Sequence, residues 1–142
     1  DHADIYADLD AIKEAFSRLV SLIPPDGALV ACADWPAVTE ICSQARCRVV
    51  TYGKGNGCEW QLGDLSVDAT RTEFTALYQG RACAVVRIRL PGRHNALNAL
   101  ATLALCRHLG MESEAVLKGL AACPGVRRRQ EFRGEIAGVT II

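Results

Sequence analysis

Several common signals are missing from these 142 residues. No apolar run approaches the roughly 18 to 20 residues that a membrane-spanning helix needs, and no basic segment precedes an apolar one near the N-terminus. That excludes a helical membrane anchor within this stretch and fits a soluble, cytoplasmic protein. No C-x-x-C pair occurs among the seven cysteines, which number an odd total and stand singly at Cys32, Cys42, Cys47, Cys58, Cys83, Cys106 and Cys123. A zinc knuckle or redox dithiol is therefore not expected; free thiols acting as small apolar residues in a reducing compartment are. Charge of one sign is not in excess either, since 16 basic residues face 16 acidic ones. A general polyanion-binding surface, and with it nucleic acid, is disfavoured against a specific small site. Finally, no G-x-x-x-x-G-K-[ST] occurs, and Gly53-Lys54-Gly55-Asn56-Gly57 does not match it and reads as a loop.

Half of the residues are hydrophobic, enough for one domain with a substantial core. Ile5, Leu9, Ile12, Phe16, Leu19, Val20 and Ile23 recur at helical spacing, and Pro24-Pro25-Asp26-Gly27 ends that helix in a turn. Ala28 to Ala33 reads as a buried strand, Asp34 as the cap of a short helix reaching about Gln44, and Cys47 to Tyr52 as the next, parallel strand. From Glu59 to Leu62, Leu65 to Ala69, Thr72 to Tyr78 and Ala82 to Leu90 the pattern is that of short strands in an antiparallel meander. Helices return at 96–109 and, capped by Ser113, at 114–122, before Cys123-Pro124-Gly125 marks a boundary. The strand-like segment from Gln130 finishes on the apolar Val139-Thr140-Ile141-Ile142, and with the dense polar start Asp1-His2-Ala3-Asp4 this reads as a chain cut at both ends.

The most informative stretch is Leu90-Pro91-Gly92-Arg93-His94-Asn95-Ala96-Leu97-Asn98. It sets polar side chains at the start of a helix whose stripe Leu97, Leu100, Ala101, Ala104, Leu105 and Leu109 faces a core, with Gly110 closing the C-terminus. Free N–H groups and the positive helix end gather there, so Arg93, His94, Asn95 and Asn98 border a site suited to an anionic or amide-reading ligand. The same residues also make an ordinary turn with an Asx cap.

Taken in order, DHADIY at 1–6, LPGRHNALNALATLAL at 90–105 and GVRRRQEFRGEIAGVTII at 125–142 resemble the Mur ligase family over essentially the whole chain. The resemblance implies an α/β fold: residues 1–125 as the C-terminal half of the central ATP-binding domain, a parallel-sheet portion plus a small antiparallel meander, with the P-loop half missing. Residues 126–142 would then be the first strand region of the C-terminal ligase domain. The implied chemistry is ATP-driven amide formation through an acyl phosphate, so positioned cations and helix-end donors matter more than a general base.

Residue by residue, the resemblance places His94 and Asn98 at the adenine, with Asn95 close by; an Asn amide can serve adenine N6 and N7 together. It gives His2 a place in a magnesium shell shared with a carboxylate not found here, and it sets Ser17 where several relatives carry a carbamylated lysine, so no carbamate is expected. Arg129 matches an arginine that reaches the γ-phosphate, a task suited to a planar guanidinium, while Arg127 and Arg128 read as a solvated charge run. DHADIY and RRRQEFRGE lean toward the peptidoglycan-recycling branch, which joins UDP-N-acetylmuramate to the murein tripeptide L-alanyl-γ-D-glutamyl-meso-diaminopimelate. L-alanine as the amine donor is the alternative. A non-catalytic nucleotide-binding module is a third reading, and nucleic-acid binding through Arg127 to Arg129 and Arg133 a fourth.

Overall fold

The computed structural model describes residues 5–125 and 134–141. The opening helix, α1 (Leu9–Ser21), starts where Asp8 accepts a hydrogen bond from the Ala11 N–H at 2.8 Å. It ends in the expected turn, in which the Gly27 N–H donates to the Pro24 carbonyl at 2.9 Å. Only Val20 of the apolar stripe is buried; Ile5, Leu9, Phe16 and Leu19 are more than half exposed. The spacing located the helix but overstated how much of its face is covered.

Strand β1 (Ala28–Cys32), helix α2 (Pro36–Cys42) and strand β2 (Arg48–Gly53) form the expected strand–helix–strand unit, and the two strands pair in parallel from Ala28↔Arg48 to Cys32↔Tyr52. Asp34 does not cap α2. That helix begins after Trp35 with proline in its first turn, where a missing N–H costs nothing, and it has no side-chain cap. Asp34 instead accepts a hydrogen bond from the Lys54 N–H at 2.8 Å, tying the end of β1 to the loop after β2.

The next two expected strands are one. Strand β3 (Trp60–Val67) runs through with a register shift between Leu62 and Leu65. Gly63 lies in this irregularity, where a Cβ would meet Leu77 Cδ1 at 2.9 Å and the Thr75 carbonyl oxygen at 3.0 Å. β3 pairs in parallel with β2 through Tyr52↔Trp60 and Gly53↔Gln61, and antiparallel with β4 (Thr72–Tyr78), which pairs with β5 (Arg81–Ile88). The parallel portion and the meander therefore share one five-stranded sheet in the order β1-β2-β3-β4-β5. Gln79 and Gly80 join β4 to β5 with φ of 50° and 75°, the two left-handed residues of a tight hairpin.

Helix α3 (Arg93–His108) packs across this sheet, followed by α4 (Ser113–Ala122), which begins at Ser113 itself, with Glu112 at the cap position and no side-chain cap bond. The core joins Trp60, Phe74, Val86 and Ile88 of the sheet to Ala96, Ala99, Leu100, Leu103 and Ala104 of α3 and Val116 of α4. The buried stripe of α3 is thus turned from the expected one: Leu100 and Ala104 belong to it, Leu105 and Leu109 are exposed, and Leu103 takes the inner position. Gly110 does close the helix. Its N–H donates to the Arg107 carbonyl and the Met111 N–H to that of Cys106, both at 3.0 Å, with Gly110 at φ 75°. The terminal segment divides into a hairpin, β6 (Gly134–Ile136) and β7 (Val139–Ile141), turned by Ala137 and Gly138. All seven cysteines are free thiols. No helix among the described residues is long and apolar enough to cross a membrane.

Candidate functional site at the start of α3

The polar residues of Arg93 to Asn98 sit on α3's first turns, immediately after β5 and Leu90-Pro91-Gly92. Gly92 occupies the cap position at φ 104° and ψ 147°, a backbone region essentially reserved for glycine, and no side chain caps the helix. A Cβ there would meet His94 Cε1 at 2.8 Å and Nδ1 at 3.0 Å. The missing side chain is thus what lets the His94 imidazole fold back against the loop.

Two of the residues expected at a ligand share one face of the helix. His94 and Asn98 lie one turn apart on one face of α3, both are exposed, and neither side chain has a hydrogen-bond partner among the described residues. Asn95 has a different job: it is half-buried, and its Nδ2 donates to the Pro91 carbonyl at 2.8 Å, bracing the loop from inside. Neither the simple Asx cap nor the purely ligand-facing asparagine describes it. Arg93 is exposed.

Thr72 secures the approach to this site. It is the one buried polar side chain among the described residues, and its Oγ1 donates to the Leu90 carbonyl at 2.7 Å, pinning the end of β5 just before the loop. Gly125 packs against the Leu90 side chain, where a Cβ would lie 2.5 Å from Leu90 Cδ2. Both contacts hold Leu90, the residue leading into the turn, while His94 and Asn98 stay exposed.

A second polar feature lies at the C-terminal ends of β1 and β2, the side of a parallel sheet where ligands commonly sit. Asp34 uses Oδ1 for the Lys54 N–H, while Oδ2 is buried with no hydrogen-bond partner among the described residues. Burial pushes the nearby Tyr52 hydroxyl and Cys58 thiol above their ordinary values, each further raised by the Asp34 charge. Asp34 is expected at a helix cap from local spacing; its position just past the C-terminal end of β1 is the signal that points instead to this edge of the sheet.

His2 and Arg129 fall outside the described residues. Among the described residues no group of three or more His, Cys, Asp or Glu side chains is placed to hold a metal ion.

Comparison with known proteins agrees with this architecture. The Mur ligase middle domain model matches residues 1–106. The UDP-N-acetylmuramate–L-alanine ligase of Acidothermus cellulolyticus is 40% identical over 144 aligned residues, covering 99% of this chain and 30% of that protein. Among solved structures, the UDP-N-acetylmuramate:L-alanyl-gamma-D-glutamyl-meso-diaminopimelate ligase of Neisseria meningitides superposes with a TM-score of 0.76 at 32% identity, over 90% of this chain and 38% of that one. MurF from Acinetobacter baumannii, at 23% identity, shares the fold with a TM-score of 0.84 over 96% of this chain and 30% of its own. The chain spans about a third of the length of these relatives. A mixed sheet carrying α3 behind a glycine-capped His-Asn turn, and a family match running from the first residue to within α3, make this chain a member of the Mur ligase middle domain family.

Proposed function

We propose that this chain is part of the central domain of an ATP-dependent amide ligase of peptidoglycan assembly, and that the start of α3 is the adenine edge of its nucleotide site. The observation that carries the reading is the juxtaposition of His94 and Asn98, exposed, without a hydrogen-bond partner among the described residues, and one turn apart at a helix N-terminus. The Asn98 amide offers both a donor and an acceptor to adenine N6 and N7, with the exposed His94 ring one turn before it. Asn95, by holding Pro91, acts as a positioning residue for both.

When ATP is bound, its γ-phosphoryl group would activate a substrate carboxylate for attack by an amine. In this reading His94 and Asn98 orient the base and α3 contributes its positive end. By resemblance alone, Arg129 would meet the γ-phosphate and His2 would share a magnesium shell. Both lie outside the described residues. The division into residues 1–125 and 126–142 belongs to the same proposal, supported by β6 and β7 forming a sheet of their own.

UDP-N-acetylmuramate is the carboxylate substrate in both versions of the reaction. The sequence motifs lean toward the tripeptide as amine donor; identities of 40% and 41% to two proteins named as L-alanine ligases favour L-alanine instead. Phosphate release by the full-length protein, supplied with ATP, UDP-N-acetylmuramate and either L-alanine or the tripeptide, separates the two. Release with L-alanine supports the first and release with the tripeptide the second. Failure of both amines would overturn the ligase reading.

A further inference from the structure

Away from the start of α3, the outer end of the meander carries an arrangement of charges that the ligase reading does not use. A cavity of about 500 Å³ is lined by Ser66, Asp68, Arg71, Glu73, Arg87 and Arg89, among others. Arg87, on β5, and Arg89, just past the end of that strand, both line the cavity, and Arg71 joins them from the segment before β4. Three guanidinium groups and two carboxylates line it, a local excess of positive charge in a chain whose basic and acidic residues balance as a whole.

Both carboxylates grip their arginines in the same way. Asp68 Oδ2 accepts from Arg71 Nε at 2.7 Å, and Glu73 Oε2 accepts from Arg87 Nε. Neither arginine has a second partner on its terminal nitrogens among the described residues, and Arg89 makes no ion pair there. Asp68 is itself fixed, its Oδ1 accepting from the Thr70 N–H, the Thr70 hydroxyl and the Arg71 N–H at 2.8 to 3.0 Å. Two planar forks are therefore held from behind by Nε while keeping the paired terminal donors that match an oxyanion, and a third is free.

We propose that this cavity binds a small multivalent oxyanion of the phosphate or carboxylate class. Arg71 and Arg87 supply oriented forks, and Arg89 supplies the uncompensated charge. The volume lies in the range of small-ligand sites. The site shares no residue with the His94–Asn98 face, and the proposal stands or falls independently of the ligase reading.

The test is titration of the isotope-labelled protein with inorganic pyrophosphate and, separately, with citrate at constant ionic strength, following the arginine Nε–H signals by NMR. The expected result is saturable shifts at Arg71, Arg87 and Arg89 with a dissociation constant below about 1 mM, while Arg18 and Arg48 stay still. The tighter of the two anions identifies the class. Arg89→Ala should weaken binding about tenfold, a loss of about 1.4 kcal/mol. Arg71→Lys, which keeps the charge but not the fork, should weaken it by a similar factor. All these side chains are exposed, so the variants fold. Shifts that never saturate, that appear equally at Arg18 and Arg48, or that are unchanged in Arg89→Ala would overturn the proposal.

Discussion

Replacing Gly92 with alanine tests whether the loop before α3 is built around a missing side chain. Two costs add at this position. At φ 104° and ψ 147° the backbone lies outside even the left-handed helical region, so an L-residue is strained by about 1–3 kcal/mol. The new Cβ would also stand 2.8 Å from His94 Cε1, and turning the imidazole off its rotamer adds about 1 kcal/mol. The expected total is about 2–4 kcal/mol, a large part of the roughly 5–15 kcal/mol by which domains are stable. Gly80→Ala is the internal comparison: φ is 75° there, nothing lies within 4 Å, and only the left-handed penalty of about 1–2 kcal/mol applies. Urea unfolding followed by circular dichroism reads both, and NMR of the His94 ring reports its displacement in Gly92→Ala alone. Equal losses for the two variants, with His94 resonances unmoved, would refute the reasoning.

Three other outcomes follow from the geometry. Leu100→Ala empties a fully buried position between α3 and the sheet and should cost about 2–5 kcal/mol by the same unfolding assay, whereas Leu105→Ala on the exposed side should cost less than about 0.5 kcal/mol. Asn95→Ala removes the bond to the Pro91 carbonyl and should lower stability by about 1 kcal/mol, with faster hydrogen exchange in the first turn of α3 than in its last. The Asp68 carboxyl, held down to about 2 from an ordinary 3.8 chiefly by Arg71, should titrate at that low midpoint by NMR. Because folding favours its ionised form, its contribution is complete above the ordinary value and is lost as pH falls through about 2. In Arg71→Ala the midpoint should rise toward 3.8, and a midpoint that stays put would contradict the pairing.

The location of the candidate site was legible because turn chemistry is local: a glycine followed three residues later by asparagine marks a helix start whatever packs around it. The side-chain roles within it were not. Asn95 and Asn98 are the same residue type three positions apart, and only the path of the loop decides that one reaches back to Pro91 while the other stays open. Leu105 and Leu109 misled the phase of α3, since apolar character marks a buried face only when something covers that face, and here the sheet meets Leu103 instead. Leu9, Phe16 and Leu19 of α1 teach the same lesson. Glu59 to Ala69 looked like two strands because Gly63-Asp64 carries turn composition; the structure spends that glycine on a bulge beside Thr75 and Leu77 within a single strand. Asp34 sat at a plausible cap position, and the contact with Lys54 that claims it spans twenty residues, beyond the reach of any local rule.

The central claim is that His94 and Asn98 form the adenine edge of an ATP site. It is tested most directly by Asn98→Ala in the full-length protein, reading the Michaelis constants for ATP and for UDP-N-acetylmuramate in a phosphate-release assay. Loss of an adenine contact worth about 1.4 kcal/mol predicts a roughly tenfold rise in the constant for ATP, with that for UDP-N-acetylmuramate unchanged. An unchanged constant for ATP would contradict the account.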